Sequence, residues 1–105
     1  MRYTKKLPYT DLAVDAWHRY FNQPVPEDSE AKIADYAAAK NAIERLNRED
    51  SVKLQLLRKV YGVPRKDSVG SRVLLATFDL SISETTEWRW LNRANRYWAE
   101  ERGVA

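Results

Sequence analysis

Arg89, Asn92, Arg93 and Arg96 fall three and four residues apart, so a helix running through them carries all four on one broad face. Guanidinium and carboxamide groups can make paired hydrogen bonds in a fixed plane. Arginine fits the paired acceptors on the edge of guanine, and asparagine fits the adjacent donor and acceptor of adenine. One turn earlier, Glu84 can accept from a cytosine amine, and Thr85 lies beside it. The chemistry on offer is therefore the reading of base edges. Other chemistry is thinly represented. His18 is the single histidine, the chain has no cysteine, and no other ligand stands at metal-binding spacing from His18. Asp11 and Asp15 lie one turn apart, as a carboxylate pair would, but such pairs on a helix surface are usually only solvated. No glycine-rich phosphate loop, Gly-x-Ser-x-Gly or His-Glu-x-x-His run is present. Neither an enzymatic reaction nor a cofactor or metal is expected.

To present that face, the chain has to hold a helix rigidly at a defined angle. The run Leu80-Ser81-Ile82-Ser83 has the order needed for a tight turn between two helices: an apolar anchor, a small residue, an apolar plug and a helix cap. Ser81 occupies a place where glycine is commoner, because the turn often needs positive φ. Leu91 is expected to anchor the middle of the second helix. Glu87 stands where such turns usually have an apolar residue, so Trp88 is expected to take over the packing there.

Periodicity predicts five helices in all, at about residues 10–21, 28–46, 48–61, 69–78 and 84–102. Leu12, Ala13, Ala16, Trp17 and Tyr20 share one face of the first, and Ile33, Tyr36, Ala37, Ile43 and Leu46 one face of the second. Asp28 or Ser29 is the expected cap of the second helix, and Asn47 opens the third. The third carries Val52, Leu56 and Val60 on one side and Leu54, Leu57 and Tyr61 on another, so it is expected at the centre, buried nearly all round. Residues 73–78 are short and apolar enough for a strand, but helical periods flank them and a helix behind Ser68 is expected. The fifth presents Trp88, Leu91, Asn95 and Trp98 inward, and Arg89, Asn92, Arg93 and Arg96 outward. The reading is an all-α, five-helix single domain over residues 1–105. An N-terminal pair (1–46) supports a helix-turn-helix unit (47–102).

The run from Leu46-Asn47-Arg48-Glu49-Asp50 through Leu56-Leu57-Arg58-Lys59-Val60-Tyr61-Gly62 resembles the helix that precedes the helix-turn-helix in sigma-factor region 4 domains. The order of elements matches over residues 46–102. Trp88-Arg89-Trp90-Leu91-Asn92-Arg93-Ala94 resembles small phage and prophage transcription regulators of the ArpU/RinA kind, which share that sigma-like module. The departures are Asn47 for proline, Ser81 for glycine and Glu87 for an apolar residue, and residues 1–45 lie outside the likeness. The resemblance implies sequence-specific binding of double-stranded DNA in transcription control, with helix 83–96 in the major groove. Glu84, Thr85, Arg89, Asn92 and Arg93 would be its DNA-facing positions. RNA polymerase would be a natural partner.

Charge placement bears on the same question. The net charge is +3, and residues 48–72 carry seven bases against three acids. Arg65, Lys66 and Arg72 in that segment, with Arg93 and Arg96, are the expected phosphate contacts. Against this, four Arg and four Glu cancel over residues 81–105, whereas a strong DNA binder tends to be more basic. The rival expectation is a protein-interaction or assembly module, such as a small terminase-like subunit or a polymerase adaptor. Trp90 and Tyr97 would then form an exposed partner or dimer face, although cover by one of the first two helices is the favoured reading. A symmetrical DNA site favours a homodimer, while sigma-like modules often act as single copies. With no cysteine and no apolar run of spanning length, a cytoplasmic location without membrane contact is expected.

Overall fold

The computed structural model describes residues 8–22, 29–62 and 68–105, and those residues form five helices with no strand among them. They are α1 (Thr10–Asn22), α2 (Glu30–Glu49), α3 (Ser51–Tyr61), α4 (Val69–Leu80) and α5 (Glu84–Arg102). No helix among the described residues is long and apolar enough to cross a membrane. Residues 73–78, open to a strand reading, lie within α4.

Cap chemistry sets most of the boundaries. Ser29 caps α2 with its Oγ accepting from the Lys32 N–H at 3.2 Å, and Ser68 caps α4 by accepting from Ser71 at 3.1 Å. The second boundary differs from expectation. Asn47 lies inside α2, which runs on to Glu49, and the break is the single residue Asp50 (φ −169°, ψ 117°). Its extended backbone lets one residue close both helices. The Asp50 N–H donates to the Leu46 carbonyl at 2.9 Å, and its carboxylate accepts from Val52 at 3.0 Å. The extra turn of α2 carries Glu49 to Lys53, Arg93 and Tyr97.

The core is built on α3 and α5, each of which touches the other four helices. Trp17 and Trp98 are its largest fully buried members, joined by Tyr61, Leu46, Leu56, Leu57 and Leu91. α2 packs along α5 through Ala38, Ala39 and Ala42, small enough to let the two backbones approach. The stripe expected on α2 is thus rotated: Ile43 and Leu46 are buried, but Ile33 and Ala37 are exposed. Leu12 on α1 is likewise exposed, whereas Ala13, Ala16 and Trp17 are buried. Helix α3 is central but not buried all round, since Gln55, Arg58 and Lys59 face solvent.

Polar side chains, some buried and some only partly so, tie the helices together. Trp17 Nε1 donates to Asn95 Oδ1 at 2.9 Å, linking α1 to α5 inside the core. Asp35 on α2 accepts from Arg102 Nε at 2.7 Å and lies 3.8 Å from Arg19. The last carbonyls of α3 are served from two directions. Asn22 Nδ2 donates to the Tyr61 carbonyl at 3.2 Å, and Arg72 donates to the Val60 carbonyl at 3.1 Å. These groups have no partner within their own helix and sit at the negative end of its dipole, so a buried guanidinium suits them.

Candidate nucleic-acid interface

The turn between α4 and α5 follows the order expected of it. Leu80 is half-buried against the core, Ser81 adopts the left-handed conformation (φ 56°, ψ 43°), and Ile82 is half-buried. Ser81 is the one non-glycine residue with positive φ among the described residues. A hydroxymethyl side chain tolerates that region at a cost of about 1–2 kcal/mol. Ser83 caps α5 by accepting from the Thr86 N–H at 3.2 Å.

Helix α5 is seated by Leu91, Ala94, Asn95, Trp98 and Ala99, all buried. That arrangement leaves Thr85, Arg89, Asn92 and Arg96 on one continuous exposed line, with Glu84 and Arg93 at its edges. The groups on that line differ in commitment. Arg89 and Asn92 make no side-chain hydrogen bond or ion pair among the described residues. Arg96 is loosely paired with Glu100 at 3.5 Å and Arg93 with Glu49 at 3.7 Å, both solvent-exposed. Glu84 accepts from Trp88 Nε1 at 3.3 Å. Asn92, Arg93 and Arg96 also border a groove of about 840 Å³, whose other wall includes Arg45 of α2 and Tyr9.

Glu87 departs most from expectation. It is wholly buried, and neither carboxylate oxygen has a hydrogen-bond partner among the described residues. Burial, helped by the negative charge of Glu84, pushes its carboxyl up to about 7. Trp88 is half-buried and packs against the core as expected, but beside the buried Glu87 and not in its place. The sequence marked position 87 as anomalous, but not that the carboxyl would itself occupy the interior.

This bears on the charge balance of α5. Glu87 is interior and disposed toward neutrality, Arg45 engages Glu100 at 3.1 Å and Glu101 at 3.3 Å, and Arg102 is held by Asp35. Along the exposed line Arg93 and Arg96 are balanced by Glu49 and Glu100, which leaves Arg89 against Glu84. The apparent neutrality of the helix is a count over residues that face different ways.

The expected phosphate contacts fare unevenly. Arg72 is a correction: it is 5% exposed and bound to the end of α3, so it cannot reach an external phosphate without leaving the core. Arg65 and Lys66 lie outside the described residues. Lys53 is paired with Glu49 at 3.0 Å and stands over the Trp90 ring, and Lys59 is paired with Asp79 at 3.3 Å. Arg58 is exposed. Trp90 and Tyr97 are half-buried under the end of α2 and the start of α3. Arg45 lies 3.9 Å from the Tyr97 ring, and the Tyr97 hydroxyl donates to Glu49. That bond, with Lys53 and Arg93, holds the Glu49 carboxyl below its ordinary range.

Among the described residues, no three His, Cys, Asp or Glu side chains gather where they could hold a metal ion. No protein-family model, curated protein or solved structure matches the chain, so its functional reading rests on its own residues and their geometry.

Proposed function

We propose that the chain is a sequence-specific, double-stranded-DNA-binding transcription regulator of a sigma-region-4-like kind, such as phages and prophages use. In this reading α4, the Ser81–Ser83 turn and α5 form a helix-turn-helix, and the first turns of α5 enter the major groove. The observation that carries the proposal is the pair Arg89 and Asn92. They are exposed, one turn apart on one face, and uncommitted to any described side chain, on a helix that all four others hold in place. Arg89 reads a guanine, Asn92 an adenine, and Glu84 and Thr85 approach the same base pairs from the helix start. Arg93, Arg96 and the groove beside Arg45 receive phosphates that set the register.

Selection from a pool of random duplexes at low and moderate salt, with sequencing of the bound fraction, tests this directly. Enrichment of one motif, with affinity falling steeply as salt rises, is the expected result. Failure to retain any duplex at low salt removes the DNA reading. A second reading, an assembly or polymerase-adaptor module that reads no DNA, is favoured by one observation, the exposed apolar residues of α4.

A further inference from the structure

Leu74, Leu75 and Phe78 are 52%, 60% and 77% exposed, and make up half of the large exposed hydrophobics among the described residues. They lie within one turn of each other on α4, on the side away from buried Val73 and Ala76. Among the described residues α4 packs on α3 and α5, and neither helix covers this side.

We propose that it pairs with the same face of a second copy of the chain, α4 against α4, antiparallel about a two-fold axis between Leu74 and Leu75. Such an interface must be complementary to itself, and three features of α4 make it so. The first is size. Gly70 and Ser71 lie two turns before Phe78, and a Cβ added to Gly70 would meet nothing nearer than Ser68 Oγ at 3.9 Å. The antiparallel register brings the large ring of each copy over the small residues of the other. The second is charge. Residues 70, 71, 74, 75 and 78 are all uncharged, so no like charges are forced together. Asp79, which falls beside the N-terminal turn of the opposite α4, is already paired with Lys59 at 3.3 Å, so it brings no unbalanced charge to the contact. The third is area, which sets the strength. The three side chains present roughly 350 Å² per copy, less than half of the ~800 Å² per partner usual in a stable complex. The dimer is therefore weak and reversible, with a dissociation constant on the order of 100 μM.

The proposal does not depend on DNA binding, and its test contains no DNA. Sedimentation equilibrium of the full chain from about 10 μM to 1 mM is expected to show a monomer–dimer equilibrium, weakened at least tenfold by Phe78→Asp with unchanged far-UV circular dichroism. Because the chain has no cysteine, single-cysteine variants report the register cleanly. Under mild oxidation Leu75→Cys is expected to form a disulfide-linked dimer, and Leu12→Cys, equally exposed but on α1, to stay monomeric. A wild-type chain that is monomeric at 1 mM would overturn the proposal, as would a Phe78→Asp variant that dimerises unchanged. Equal cross-linking of the two cysteine variants would overturn the α4 register.

Discussion

Helices α4 and α5 are joined by three residues and both begin at a serine cap, yet their outer faces have opposite characters. Helix α5 is wedged among all the others and turns a polar line of Thr85, Arg89, Asn92 and Arg96 outward. Helix α4 rests on two neighbours, held by Val73, Ala76 and the buried Arg72, and turns Leu74, Leu75 and Phe78 outward. How firmly a helix is seated and what its free face can do are separate properties. A rigid seat makes polar groups useful for reading a ligand, because little conformational freedom remains to be lost on binding. An apolar face on a lightly seated helix instead calls for cover.

The largest expected effect separates seat from free face. Trp17→Ala removes a fully buried indole and leaves Asn95 Oδ1 without its donor, so urea unfolding should show a loss of about 3–5 kcal/mol. Phe78→Ala should stay within about 0.5 kcal/mol for the monomer. If both were equally damaging, the outer face of α4 would belong to a core.

Glu87 comes next. Its folded-state carboxyl titrates near 7, well above the ordinary value of 4.5, so between those values the folded chain holds a proton that the unfolded chain has released. Stability is thus greatest below pH 4.5 as far as this group is concerned, falls as pH rises, and reaches its low plateau above pH 7. The span is up to about 3 kcal/mol. Glu87→Gln should flatten that part of the stability–pH curve, and a slope that survives the substitution would assign it to another group.

Arg72 and Arg89 sharpen the contrast between a guanidinium built into the fold and one proposed to read DNA. Arg72→Met should lower stability by about 1–3 kcal/mol by orphaning the Val60 carbonyl, while the salt dependence of DNA binding stays unchanged. Arg89→Ala should do the reverse, leaving thermal unfolding unaltered and weakening discrimination at one base pair by about 1–3 kcal/mol. A reversal of those two outcomes would exchange their roles. The smallest effect lies between the two helices: Ser81→Gly relieves a left-handed serine but frees the unfolded chain, and differential scanning calorimetry should find a net gain below about 1 kcal/mol.

Local signals carried much of the fold. The Ser68 and Ser83 caps, the order of the turn residues and the inward line Leu91, Asn95 and Trp98 were legible because each depends on neighbours three or four residues away. The helical character of α4 was legible from the periods around it. The α2–α3 boundary was misplaced because Asn47 and Asp50 are both acceptable caps, and only the packed position of the extra turn chose between them. The rotated stripe of α2 has a similar cause. Alanines count weakly in a hydrophobic pattern, but they decide how closely two helices can approach.

For the candidate site, composition and spacing alone determined that α5 would carry guanidinium and carboxamide groups on its outer side, since helical geometry leaves no other arrangement. Only the tertiary structure decided which charges count there. It buried Glu87, set Arg72 on the end of α3, and drew Glu100 and Glu101 toward Arg45. It also left the apolar side of α4 uncovered by the other described residues. Each outcome depends on which helix lies across from which, and contacts between residues far apart in the chain leave no periodic trace in the sequence.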